Sequence, residues 1–156
     1  MTAIHVIRHA KAKNRLEWTE PDEQRPLTKR GRREAGALAE RLGDEELTRL
    51  VSSPYVRCVQ TLEPLAVAVD LPIETTELLA EGADGIGALE LLLSLANDGP
   101  VVCSTHGDVL FDLLGIVAGA GVRLDGPRDA PVASTWTLDV EGGRLASARF
   151  VEQPPR

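Results

Sequence analysis

Apolar positions along the chain change period several times, and each change marks an expected element boundary. Residues 3–7 form a short, mostly apolar run rich in β-branched types, which predicts a buried strand. Residues 9–27 are polar and carry Pro21 and Pro26, the pattern of a long loop. Thr28 can cap a helix over residues 29–42, with Ala35, Leu38, Ala39 and Leu42 as its inner stripe and Gly43 as its stop. Residues 47–52 predict a second strand. Ser53-Pro54 then reads as a helix start, an N-cap followed by proline at the first helical position. That helix is expected to bend at Pro64 and to end near Asp70. Residues 72–76 predict a short strand, and residues 86–96 a Leu-rich helix broken by Asn97-Asp98-Gly99-Pro100. A strand over 101–104 and a helix from about Gly107 to Ala118 follow. Two strands near 133–140 and 144–151 close the chain, joined by the turn Glu141-Gly142-Gly143.

Strands alternating with helices and closed by a hairpin predict an α/β fold, a three-layer α/β/α sandwich on a mainly parallel central sheet. In such sheets ligands bind beyond the carboxyl ends of the strands. One domain is expected over residues 1–152, with residues 153–156 as a short tail.

Composition narrows the class. The 156 residues are 43% apolar and 26% charged, which excludes a disordered chain, a collagen-like fibre and a disulfide scaffold. Aromatic residues are only 3%, so the core must be built from Leu, Val and Ala. Cys58 and Cys103 lie in no CxxC pair and have no metal-ligand spacing, so they read as buried free thiols. The N-terminus lacks a charged segment and a long apolar one, and the longest apolar stretches are interrupted by Gly and Asp. A cytoplasmic protein without a membrane partner is expected.

The net charge of −7 argues against a nucleic-acid polymer as partner. It hides an asymmetry: residues 1–33 carry a net +5 and residues 34–156 a net −12. A basic N-terminal fifth on an acidic body is either a solvated surface or the lining of an anion site.

The residues expected at the strand ends favour an anion site. Arg8-His9-Ala10 follows the first strand, Ser53-Pro54-Tyr55-Val56-Arg57 the second, and Thr105-His106-Gly107 the strand over 101–104. The chain has three histidines, and two of them fall here. The third, His5, lies inside the first strand and reads as structural. Two permanent cations and two imidazoles make a pocket suited to a phosphoryl group. Nearby arginines also favour the neutral, nucleophilic imidazole.

With these three motifs in this order, the chain resembles the histidine phosphatase superfamily, also called phosphoglycerate mutase-like. Arg8-His9-Ala10 stands where the family has Arg-His-Gly. The run from Ser53 to Thr61 resembles the second motif, which supplies a phosphate-binding Arg, and Ser104-Thr105-His106-Gly107 resembles the third. Residues 25–31 and 60–66 are similar to the compact SixA-type phosphohistidine phosphatases. They also resemble the phosphatase-like half of some mycobacterial MutT-type nucleotide hydrolases, whose Nudix half has no counterpart in this sequence.

The resemblance implies a phosphoglycerate mutase-like fold and a metal-independent phosphatase with no cofactor. His9 would attack phosphorus, while Arg8, Arg57 and His106 bind the phosphoryl oxygens; guanidinium groups would supply the charge that Mg²⁺ supplies elsewhere. Relatives place an acid between the second and third motifs, and Glu81 is the first choice here, with Asp84 second and solvated loop carboxylates as the alternative. Lys11 and Arg25, with Lys13 and Arg15, could guide an anionic substrate, although each alone reads as a solvated loop cation; Asn14 receives no role. The expected substrate is a phosphohistidine protein or a phosphorylated small molecule. The alternatives are a nucleotide or diadenosine polyphosphate hydrolase and a non-catalytic phospho-ligand module. With no single carboxylate singled out as the acid, the reading tilts toward phosphohistidine or nucleotide polyphosphates, because a phosphoanhydride or a protonated phosphoramidate leaves with less help than an alcohol.

Overall fold

The computed structural model describes residues 1–152; the tail expected at 153–156 lies outside the described residues. Seven strands form one sheet: β1 (Thr2–Arg8), β2 (Arg49–Ser52), β3 (Ile73–Thr75), β4 (Val101–Thr105), β5 (Leu124–Asp125), β6 (Thr135–Glu141) and β7 (Arg144–Val151). Their order is β3-β2-β4-β1-β6-β7-β5. The pairings β3–β2, β2–β4, β4–β1 and β5–β7 are parallel, and only β1–β6 and β6–β7 are antiparallel. The sheet is thus mixed, with its parallel half on the side that carries the motifs.

Four helices cover it: α1 (Lys29–Leu42), α2 (Val56–Val69), α3 (Gly85–Leu95) and α4 (Gly107–Gly119). Strand residues alternate between two apolar layers, as the pleat requires. Ile4 and Val6 of β1 pack with Leu92 of α3 and Leu110 of α4, while Ile7 packs with Leu38 of α1 and Leu62 of α2. The result is the expected α/β/α sandwich. No helix among the described residues is long and apolar enough to cross a membrane.

Several local expectations hold. Thr28 caps α1, its side chain accepting the Gly31 N–H. Gly142 (φ 58°) and Gly143 (φ 78°) form the two-residue turn between β6 and β7, where both positions require left-handed backbone. His5 is structural: its Nδ1 lies 2.9 Å from Thr137 Oγ1 and its Nε2 2.7 Å from Glu45. Both cysteines are free and buried.

Two expected starts move, and one strand is new. Helix α2 starts at Val56 rather than at Ser53-Pro54; the Ser53 hydroxyl accepts the Tyr55 N–H (3.2 Å) and lies 2.8 Å from His106 Nε2, while residues 53–55 stay outside the helix. It then runs through Pro64 to Val69 and stops at Asp70, which adopts left-handed backbone. Strand β2 begins at Arg49, since Thr48 is turned to the Pro100 carbonyl by both its N–H and its hydroxyl. The two-residue strand β5 was not foreseen; it pairs with the outer edge of β7.

Candidate active site

The chain leaving β1 is pinned from three sides. The His9 N–H donates to Thr105 O (3.0 Å), extending the β1–β4 ladder by one residue. The Ala10 N–H donates to the Thr61 hydroxyl (3.0 Å), which in turn donates to Arg57 O (2.7 Å). Ala133 adopts left-handed backbone (φ 62°), and its N–H reaches the carbonyls of Arg8 (2.9 Å) and His9 (3.2 Å). A non-glycine residue held in that region costs about 1 kcal/mol or more, which the surrounding structure must offset. Ala10, at the position of the expected Gly, is fully buried.

These contacts set the His9 ring. Its Nδ1 lies 2.8 Å from the Ala10 carbonyl. A carbonyl only accepts, so Nδ1 carries the proton and Nε2 presents its lone pair. Burial pushes the His9 imidazole down to about 4, and the charges of Arg57, Arg8 and Arg25 act in the same direction against the Ala10 hydrogen bond. His9 is therefore a neutral imidazole near pH 7.

His106 is the residue before α4, and its ring centroid stands 5.4 Å from that of His9. Its Nε2 is 2.8 Å from Ser53 Oγ, and the Tyr55 ring packs edge-on against it at 4.7 Å. Burial, then His9 and Arg57, push this imidazole down to about 3.

The two arginines arrive from opposite sides. Arg8, the last residue of β1, donates from Nη1 to Ala130 O (2.6 Å). Its guanidinium lies flat against Gly107, where an added Cβ would stand 2.9 Å from Arg8 Nε and Cζ. Glycine at the start of α4 is therefore a condition of the arginine's position. Arg57, in the first turn of α2, is wholly buried. It donates to Asp22 O (2.9 Å), Asp22 Oδ2 (3.0 Å) and Glu81 Oε1 (3.3 Å), with Tyr55 packed against its face. The Nε–H groups of Arg8 and Arg57 are buried and have no acceptor among the described residues.

Arg8, His9, His106 and Glu81 line an open cleft of about 1120 Å³; Arg57 meets it through Glu81. Glu81 precedes Gly82 (φ 83°), whose N–H donates to Asp108 of α4 (2.8 Å). Its Oε1 accepts from Arg57 and from Arg15 (2.9 Å) and lies 4.0 Å from His106 Nδ1. Asp84 does not line the cleft; its carboxylate caps α3 through the Ile86 N–H.

The basic loop is ordered around this cleft. Its ends meet at an Ala12–Leu27 bridge, and Lys11 and Lys13 line the wall. Lys11 is exposed, while its own backbone N–H donates to Glu34. Arg25 is buried rather than solvated: it donates to Lys13 O (2.6 Å) and Asp22 Oδ1 (2.9 Å). Asn14 Oδ1 accepts the Leu16 N–H inside the loop.

Sequence reasoning missed three members of this cluster. Asp22 binds Arg25 and Arg57 at once, Ser53 orients His106, and Thr61 ties the segment after His9 to α2. A carboxylate in a polar loop and two common hydroxyls carry no distinguishing pattern. Only the placement of Ser53 and Thr61 within the second motif gave any signal.

The family model of the histidine phosphatase superfamily, branch 1, matches residues 4–86. The 8-oxo-(d)GTP phosphatase of Mycolicibacterium smegmatis is 37% identical over 157 residues, covering 97% of this chain and 48% of that protein. The chain spans about half the length of the curated relatives it matches. Among solved structures, the protein histidine phosphatase SixA complexed with tungstate superposes with a TM-score of 0.76 at 22% identity, covering 97% of this chain and 96% of that one. A mycobacterial glucosyl-3-phosphoglycerate phosphatase gives a TM-score of 0.70 at 16% identity, with 99% of both chains covered. These two likenesses are of fold.

Proposed function

The chain belongs to the histidine phosphatase superfamily, and from that premise we propose that it is a phosphatase working through a phosphohistidine on His9, with one domain over residues 1–152 carrying the activity. The observation that carries the reading is the His9 ring: Nδ1 is tied to the Ala10 carbonyl and Nε2 is left as a bare, neutral nucleophile. Nε2 attacks phosphorus, the bond to the leaving group breaks, and the leaving group departs with its electron pair. Arg8, Arg57 and His106 surround the transferred group, and the orphaned guanidinium N–H groups find acceptors in its oxygens. The imidazole keeps its Nδ1 proton, so the phosphorylated ring is cationic and is itself a good leaving group. Water then attacks phosphorus and returns His9 to its neutral form.

Glu81 is the proposed proton carrier for the leaving group and for water; it stands at the mouth of the pocket against Arg57 and near His106. Lys11 and Arg25 are proposed to draw in the anionic substrate, Lys11 by contact and Arg25 through its buried charge. No metal enters the scheme, because the guanidinium charges suit a dissociating phosphoryl group.

Two substrate classes have specific support. The likeness of residues 25–31 and 60–66 to SixA-type enzymes favours phosphohistidine in a protein. The relative covering 97% of the chain, called an 8-oxo-(d)GTP phosphatase, favours a nucleotide. The test is turnover of phosphoramidate, phosphohistidine protein and nucleoside diphosphates with and without EDTA, together with trapping of an acid-labile phosphoenzyme. Full activity in EDTA and loss of both turnover and phosphoenzyme in His9→Ala are expected. Unchanged turnover in that variant would sink the mechanism, and phosphate binding without hydrolysis would leave a non-catalytic module.

A further inference from the structure

The far wall of the cleft carries an aromatic surface that phosphate chemistry does not use. Phe111 lines the cleft and is 45% exposed, in a chain with only two phenylalanines. It lies on α4 one helical turn past Gly107, so it stands about 6 Å along the axis from the residue against Arg8. The ring is braced from behind. Arg128 stacks over it with Cζ 3.9 Å from the ring centroid, and donates from Nε (3.2 Å) and Nη2 (2.9 Å) to the Phe111 carbonyl. Room for the guanidinium comes from Gly115, one turn further on, where an added Cβ would lie 2.3 Å from Arg128 Nη2. A glycine in a helix interior costs about 1 kcal/mol relative to alanine. Here it makes the notch that fixes the cation on the ring.

This wall adjoins the phosphate pocket. Arg8 reaches Ala130 O, two residues from Arg128, so one segment borders both. The charges along the cleft differ in kind. Lys11 and Lys13 stand on the loop after the nucleophile, where Arg15 is already paired with Glu81, whereas Asp108 and Asp129 belong to the two segments that carry Phe111 and Arg128. The phosphates of a nucleotide suit the lysine side. A flat, uncharged group attached to the phosphate suits the other.

We propose that Phe111, braced by Arg128, is a stacking platform for the nucleobase of a nucleoside phosphate whose terminal phosphoryl group sits at His9. The proposal rests on the phosphatase reading above and selects the nucleotide class within it. Base–aromatic stacking tolerates any base and carries weight because both faces are flat and apolar. The Arg128 cation adds to the attraction without needing to move.

The test compares GDP with phosphoramidate, which has a phosphoryl group and no ring. Phe111→Ala should lower the ratio of kcat/KM for GDP to that for phosphoramidate about tenfold, mainly through the KM for GDP. Phe111→Trp should restore the ratio, and Arg128→Ala should lower it in part. Phe111→Leu keeps the apolar contact with the helix, so a fall of the ratio in this variant too separates stacking from folding. An unchanged ratio in Phe111→Ala overturns the platform. A wild-type chain that hydrolyses phosphoramidate or phosphohistidine protein but no nucleoside phosphate overturns it while leaving the phosphatase reading intact. Failure to hydrolyse any of them overturns that reading instead.

Discussion

Lowering the pH is the most informative perturbation, because the chain has three histidines and the fold pushes all of them below their ordinary range. For His9 the main cause is burial, followed by the charges of Arg57, Arg8 and Arg25. With a value of about 4, the His9 ring is about 97% neutral at pH 5.5, against roughly 10% for an ordinary imidazole at 6.5. Nitrogen-15 spectra of the imidazoles, recorded without phosphate from pH 7.5 downward, read this directly. His9 should remain neutral through pH 5.5 with its proton on Nδ1. The same depression has a consequence for stability. Between about 6.5 and 4 the unfolded chain binds more protons than the folded one, so folding weakens as the pH falls through this window. At pH 5.5 the loss is about 1 kcal/mol for His9 and about the same for His106, measurable as a lower urea midpoint than at pH 7.5. A His9 ring that titrates near 6.5, or that carries its proton on Nε2, refutes the account of the nucleophile.

Three substitutions test the framework around it. Asp22→Asn removes a carboxylate from Arg25 and Arg57 but keeps the Asp22 carbonyl that Arg57 also uses; inorganic phosphate should then inhibit several-fold more tightly, and weaker inhibition would show that Asp22 does not balance those charges. Gly31→Ala places a Cβ 2.1 Å from Lys11 O, so the urea midpoint should drop by the equivalent of about 2 kcal/mol as the loop is pushed off α1. Thr61→Val strips the buried Ala10 N–H of its acceptor at a cost of about 1–3 kcal/mol. Thr61→Ser should restore both the melting temperature and kcat, and a valine variant with unaltered melting would count against the bond.

What could be read from the sequence had short-range causes. Thr28 declares its helix because a cap and its stripe of alanines and leucines lie within one segment, and Gly142-Gly143 declares its turn through backbone that other residues avoid. The strand-end cluster was legible because α/β topology brings successive carboxyl ends together, so Arg8, His9, Arg57 and His106 could be grouped without coordinates. Long-range polar bonding was not legible. Ser53 looks like an N-cap in isolation, yet its hydroxyl serves a histidine fifty-three residues away. Arg25 looks like a solvated loop cation, yet the fold buries it beside Asp22. Asp84 looks like a candidate acid and caps a helix instead. In each case one side chain has two feasible partners, and only the assembled sheet decides between them.

Strand β1, which ends one residue before His9, lies fourth of seven in the sheet and is bonded along its length to β4 on one side and β6 on the other. Its amides should be among the slowest in the molecule to exchange with deuterium, opening only when the whole sheet does. The nucleophile thus has no local melting route of its own. Substitutions scattered through the outer strands and helices will reduce the number of folded molecules in a cell well before they blur the reactivity of the molecules that remain.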